Sequence, residues 1–125
     1  MMRNALFAIA AVWVVSAQAT TWGGDHIEME VTSKNARIEF DCAHGTIDRA
    51  PRADATGAFK ISGTFTPERS GPVATEEGPR TVKATYEGSI DGDVMTLRVV
   101  LEGEERQANA YTLTRDQRGN VRKCK

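Results

Sequence analysis

Residues 80–101 carry the pattern that most restricts the fold. Between two runs of alternating apolar and polar residues stands Asp91-Gly92, a pair that tolerates positive φ and so favours a two-residue hairpin turn. Centred there, the hairpin sets Gly88 opposite Met95, Tyr86 opposite Leu97, Ala84 opposite Val99 and Val82 opposite Leu101. Glu87 then faces Thr96, and Thr85 faces Arg98, on the other side. Side chains alternate along a strand with period two, so a slip of one residue would expose the whole apolar set. Turn chemistry and binary pattern therefore select the same faces.

The rest of the chain repeats this grammar. Ile27, Met29 and Val31 alternate with His26, Glu28 and Glu30, and are answered by Ala36, Ile38, Phe40 and Cys42 alternating with Arg37, Glu39 and Asp41. The loop Thr32-Ser33-Lys34-Asn35 joins them, with Asn35 suited to a left-handed conformation. This register pairs Val31 with Ala36, Met29 with Ile38 and Ile27 with Phe40. Beyond Cys42 the pattern predicts a bent or bulged continuation over residues 43–47, with Gly45 permitting the kink, while Gly23-Gly24 reads as a flexible entry or a bulge. Phe59, Ile61, Gly63 and Phe65 mark a further strand, and Tyr111 with Leu113 another. Residues 67–79, with three prolines and two glycines, form the longest predicted loop, residues 102–106 a charged turn, and Gly119-Asn120 a last turn before Cys124. No stretch shows a helical apolar stripe. Seven or eight short strands joined by hairpins predict an all-β domain: a small antiparallel up-and-down barrel of calycin or lipocalin-like type, or a sandwich.

The first nineteen residues read as a secretory signal peptide. Arg3 supplies a positive start, residues 5–15 an apolar run too short to span a bilayer comfortably, and Ala17-Gln18-Ala19 a small-x-small cleavage site. Removing nineteen of 125 residues leaves 106, enough for one domain over residues 20–125. Export places the chain in a secreted or periplasmic, oxidising compartment, where Cys42 and Cys124, the two cysteines, are expected to form one disulfide. Closing a loop across 82 positions removes roughly 4 to 5 kcal/mol of denatured-state freedom in the chain-entropy treatment. It would also tie the C-terminal residues to the first hairpin. The near-neutral net charge of −1 gives no reason to expect a nucleic-acid partner, and no membrane span is predicted.

The combination Trp22-Gly23-Gly24-Asp25-His26-Ile27, Glu39-Phe40-Asp41-Cys42-Ala43-His44-Gly45-Thr46-Ile47 and a closing Lys123-Cys124 resembles a group of small exported bacterial proteins. The resemblance covers nearly all of residues 20–125 and brings with it no activity and no site residues. In architecture the chain is also similar to lipocalin-like barrels, which implies either a held apolar ligand or an inhibitory role. It departs from the lipocalin entry motif, in which Trp follows Gly by two residues, because here Trp22 precedes Gly23.

Two constellations are candidates for function. The first-hairpin register sets His26 opposite Asp41, Glu28 opposite Glu39 and Glu30 opposite Arg37. Facing carboxylates repel unless something positive sits between them. His26, Glu28, Glu39 and Asp41, with His44 nearby, are thus the candidate patch for a divalent cation or a basic partner, or else a solvated outer face. Phe40, Phe59, Phe65, Tyr86, Met95 and Tyr111 point inward and would either line an apolar pocket or fill a narrow barrel, and Gly63 and Gly88 among them either relieve curvature or leave room for a ligand. A disulfide-bonded Cys42 cannot act as a nucleophile beside His44, and no Gly-x-Ser-x-Gly elbow occurs. No cofactor motif is present. The expected function is a non-enzymatic binding protein for a small apolar ligand or a protein partner. Two alternatives are an enzyme inhibitor acting through residues 67–79 and a hydrolase or isomerase using Glu28, Glu39 or Asp41.

Overall fold

The computed structural model describes residues 19–68, 80–103 and 110–124. They form eight strands: β1 (Thr20–Gly24), β2 (Ile27–Val31), β3 (Ala36–Phe40), β4 (Ala43–Ile47), β5 (Ala58–Pro67), β6 (Val82–Asp91), β7 (Val94–Leu101) and β8 (Ala110–Arg115). Each strand runs antiparallel to the next, and β8 returns to β1, so the sheet closes as an up-and-down barrel rather than opening into a sandwich. Among the described residues no helix is long and apolar enough to cross a membrane. The signal segment (residues 1–18), most of the long loop (69–79) and part of the charged turn (104–109) lie outside the described residues.

The first hairpin keeps the predicted register pair for pair, from Ile27 with Phe40 to Val31 with Ala36. The central hairpin does not. Its turn is Gly92-Asp93, with Gly92 at φ 60, so Ala84 faces Leu101, Tyr86 faces Val99 and Gly88 faces Leu97. Glycine as the first central residue suits a primed turn as well as the expected Asp-Gly pair does. Tertiary contacts decide between them: the observed register brings Ile90 opposite Met95 and Glu87 opposite Arg98. Because the pairing moves by two residues, no side chain changes face.

Two further expectations are corrected. The strand predicted to continue through Cys42 instead reverses at Asp41-Cys42, and Phe40 pairs directly with Ala43 to open β4. Cys42 adopts φ 52, an unusual conformation for a non-glycine residue, and it is held there by backbone bonds to Arg122 and Glu68. Residues 20–24 are likewise a strand, not a flexible entry. At the β2–β3 loop, the left-handed residue foreseen at Asn35 is absent; the Thr32 hydroxyl instead accepts the backbone N–H groups of Lys34 and Asn35.

The interior is filled by the chain itself. Tyr86, Ile27, Met29, Ile38, Ile47, Met95, Leu97 and Leu113 are wholly buried in one contiguous cluster. The Tyr86 ring lies against β5, where a Cβ at Gly63 would stand 2.9 Å from Cε2 and 2.0 Å from the Thr46 carbonyl oxygen. A Cβ at Gly88 would meet the Thr96 carbonyl at 1.9 Å and Phe59 at 3.1 Å. Both glycines therefore serve close approach within a tightly coiled sheet. The Tyr86 hydroxyl donates to the Thr64 carbonyl at 2.5 Å, and burial pushes its ionisation well above the ordinary tyrosine range. Towards the disulfide end Phe40 packs against Phe65 and Tyr111, with ring centroids 5.4 Å away in each case.

Closure is the thinnest part of the ladder. β1 and β8 share two paired positions, Trp22 with Arg115 and Gly23 with Thr114, against eight between β5 and β6. The Arg115 guanidinium adds a contact 4.8 Å from the centre of the Trp22 ring. After β8 the chain doubles back along the outer face of β1 and β2. A Cβ at Gly23 would lie 2.3 Å from the Arg118 carbonyl carbon, so glycine admits this strap. Asn120 then bridges to Asp25, and Cys124 closes the disulfide with Cys42, Cα to Cα 4.9 Å.

Two outcomes follow from this packing. Gly63→Ala should lower unfolding free energy by about 1–3 kcal/mol in urea titration, since the obstructing atom is backbone and cannot swing away. Replacing both cysteines (C42A/C124A) should cost up to about 4 kcal/mol, and in hydrogen exchange the amides of Trp22 to Gly24 and Thr114 should lose protection before those of β5 and β6.

Candidate functional site

The outer face of β2 and β3 holds the candidate patch, and most of it is engaged by the strap formed by residues 117–124. His26, at φ 68 in the β1–β2 turn, sets its Nδ1 2.6 Å from Oδ2 of Asp41. The other Asp41 oxygen accepts the Arg122 backbone N–H at 2.7 Å. That bond first, and His26 second, hold the Asp41 carboxyl below its usual range. Glu28 and Glu39 stand opposite each other as predicted, but they do not share a cation. Glu28 accepts the Gly119 backbone N–H at 3.1 Å, whereas Glu39 meets the Lys123 ammonium at 2.5 Å and Arg37 at 3.3 Å.

Lys123 supplies the positive charge beside Glu39. Its Nζ also donates to Oε2 of Glu68 at 2.8 Å and to the Ala43 carbonyl at 2.8 Å. His44 approaches the same Glu68 oxygen at 2.9 Å. Burial alone would depress the Lys123 ammonium, yet Glu39 and Glu68 outweigh it and hold its ionisation above the ordinary lysine range. Glu68 is correspondingly held low, by Lys123 first and His44 second.

The five predicted patch residues therefore divide. Glu28, Glu39, Asp41 and His44 belong to the seat of the strap, and His26 is the most open of the five, its side chain 65% exposed. Sequence reasoning missed Gly119, Arg122, Lys123 and Glu68. The signal for Lys123 was present: it adjoins Cys124, and a bridge to Cys42 must carry it to the β3–β4 turn. Among the described residues no group of three or more His, Cys, Asp or Glu side chains is arranged to hold a metal ion.

What remains chemically open is the imidazole of His26, oriented by Asp41 at the edge of a cleft that Tyr111 and Thr112 also border. Such a pair can donate or accept one oriented hydrogen bond. The predicted pocket residues do not surround a void. Phe40, Phe59, Tyr86 and Met95 are buried in the core, and Phe65 and Tyr111 pack half-buried against it. Phe59 and Tyr111 each also border a cleft that opens outward.

The ionic seat has a directional pH dependence. Asp41 and Glu68 titrate lower in the folded chain than in the unfolded one. Their contribution is present above the ordinary carboxylate range and is lost as pH falls through the depressed values. Lys123, raised, contributes fully below the ordinary lysine range and loses its contribution as pH rises through its higher value. Urea titrations should show stability falling on acidification below about pH 4. Glu68→Gln should be weaker by about 1 kcal/mol at neutral pH, because the cluster is partly exposed, and should lose less on acidification. Comparison with protein-family models, with curated proteins and with solved structures returned no match for this chain.

Proposed function

We propose that the protein is an exported, non-enzymatic binding module that meets its ligand on the outside of a filled barrel. The observation that carries this reading is the interior: Tyr86, Met95 and their neighbours occupy the space an apolar ligand would need. Three features support export. The apolar leader ends at a small-x-small site after Ala19, β1 begins at Thr20, and Cys42 and Cys124 are joined. Against a carboxylate-dependent hydrolase stand the contacts already made by Glu28, Glu39 and Asp41. Each accepts from the strap, so all three carboxylates already have a donor within the chain.

A second reading, inhibition of an enzyme through residues 67–79, is favoured by the stem of that segment. Glu68, its second residue, donates its N–H to the Cys42 carbonyl at 2.8 Å and is fixed by His44 and Lys123. A loop rooted beside a disulfide would be presented on a rigid base.

The test uses the full chain expressed with its leader in a bacterial host. The processed protein should begin at Thr20, show no free thiol, and leave the fluorescence of N-phenyl-1-naphthylamine unchanged, while a cavity variant such as Tyr86→Ala takes the probe up. Saturable uptake of the probe by the wild-type protein would refute an outer-surface binder. Deleting residues 70–77 should leave folding and probe exclusion as they are, and would abolish activity against an enzyme target only under the inhibitor reading.

A further inference from the structure

At the barrel end opposite the disulfide, the β2–β3 loop, the β4–β5 connection and the start of β5 enclose a groove of ≈ 480 Å³. Lys34, Arg49, Arg52 and Lys60 border it, with the nearly buried Phe59 and Ile61 at its base. Asp54 is the carboxylate on its rim, one negative charge against four positive ones, and one of its oxygens is engaged within the chain. It accepts the Thr56 hydroxyl at 2.6 Å, the Thr56 N–H at 2.8 Å and the Ala58 N–H at 3.1 Å, bonds that hold its carboxyl below the usual range.

Elsewhere on the barrel, four cations sit beside carboxylates, while Lys83 and Arg118 stand apart from one another without an ion pair among the described residues. Arg37 meets Glu39, Arg98 meets Glu87, Arg115 meets Asp93, and Lys123 lies between Glu39 and Glu68. Lys34, Arg49, Arg52 and Lys60 make no such ion pair among the described residues, although Lys60 stands opposite Glu87 in the β5–β6 ladder. In a chain of net charge −1 this local surplus is a matter of placement, not composition. Positive charges gathered around a concave surface concentrate field lines and raise the local concentration of anions.

We infer that this groove is a binding site for a ligand carrying two or more oxyanion groups, phosphate, sulfate or carboxylate. Two guanidinium forks offer bidentate contacts to such groups, and the two lysines supply point charges across the gap. The aliphatic stems and the Phe59–Ile61 floor accommodate a short carbon framework between the anions. This site deepens the reading of the protein as an outer-surface binder and rests on it. The same chemistry is available from a free small polyanion or from phosphorylated headgroups displayed on a membrane surface.

Calorimetric titration with inorganic tripolyphosphate, and flotation with phosphatidylglycerol-containing vesicles, distinguish those sources. The proteins are wild type, R49Q/R52Q and, as a control on β7, Arg98→Gln, each checked for an unchanged urea midpoint. Saturable tripolyphosphate binding, weakened about tenfold or more in R49Q/R52Q and within about twofold of wild type in Arg98→Gln, is expected for a free ligand. Vesicle binding alone, with the same dependence on Arg49 and Arg52, supports the headgroup source. No binding of either probe, or equal binding by R49Q/R52Q, overturns the site. If that happens while the apolar probe of the preceding section stays excluded, the outer-surface reading survives; uptake of that probe by wild type would instead remove its basis.

Discussion

The covalent tie between Cys42 and Cys124 spans 82 positions and fastens the end of the chain to a turn near its beginning. The remaining structure depends on it because the barrel's own closure is short. Two ladder pairs join β8 to β1, and one isolated bridge continues their work beyond the strand. A sheet whose first and last strands meet over so little backbone needs a second constraint to hold them together. The strap provides it by crossing both early hairpins, and each contact lies near another: Gly119 at Glu28, Asn120 at His26, Arg122 at Asp41, Lys123 at Glu39 and Glu68. Ordering such a tail costs backbone entropy, and the disulfide lowers that cost by restricting the unfolded chain before any of these contacts form.

The same arrangement explains how the fold accommodates the facing carboxylates of the first hairpin. Facing Glu28 and Glu39 would repel in isolation. The fold separates their roles, giving one a backbone donor and the other an ammonium from the same strap. Electrostatic mismatch in the sheet is thereby converted into an attachment point for the tail. Cys42, in its left-handed conformation, is held from both sides: its N–H donates to the Arg122 carbonyl, and its carbonyl accepts the Glu68 N–H. Conformational strain at that residue is offset by one bond from the strap and one from the residue that follows β5.

How much of this was readable in advance differs from element to element. The first hairpin was legible because five residues on each strand alternate cleanly and the loop length admits one register. The inward faces of β5, β6 and β7 were legible for the same reason. The central turn was not, since Asp91-Gly92 and Gly92-Asp93 both satisfy local turn chemistry and leave the faces unchanged. Only the pairing of Ile90 with Met95 and of Glu87 with Arg98 separates them, and that is packing information. The reversal at Cys42 was hidden more deeply. Apolar alternation runs unbroken through Ile38, Phe40 and Cys42, and the left-handed residue there is not glycine, so the turn is held by contacts from distant residues, Glu68 and Arg122. The pairings of Glu28 with Glu39 and of His26 with Asp41 were legible from the register, whereas the contact of Lys123 was not, although it stands next to a cysteine whose destination was already foreseen.

Filling the barrel has a consequence for where selection on function can act. In a small closed sheet, inward positions are occupied by the volume needed for stability, and Tyr86 shows how little freedom remains, its ring abutting β5 where Gly63 stands and its hydroxyl committed to Thr64. For the outer-surface binder proposed above, specificity would then reside in the loops and rims. At the disulfide end, Lys123 of the strap pairs with Glu39 and Glu68. At the other end Asp54 is turned into its own hairpin bend, and Lys34, Arg49, Arg52 and Lys60 are left facing a common hollow. Charges that contribute to folding find partners inside the molecule. A concave set of cations for which the described fold provides none therefore contributes little to the stability of the barrel and is available to something outside it.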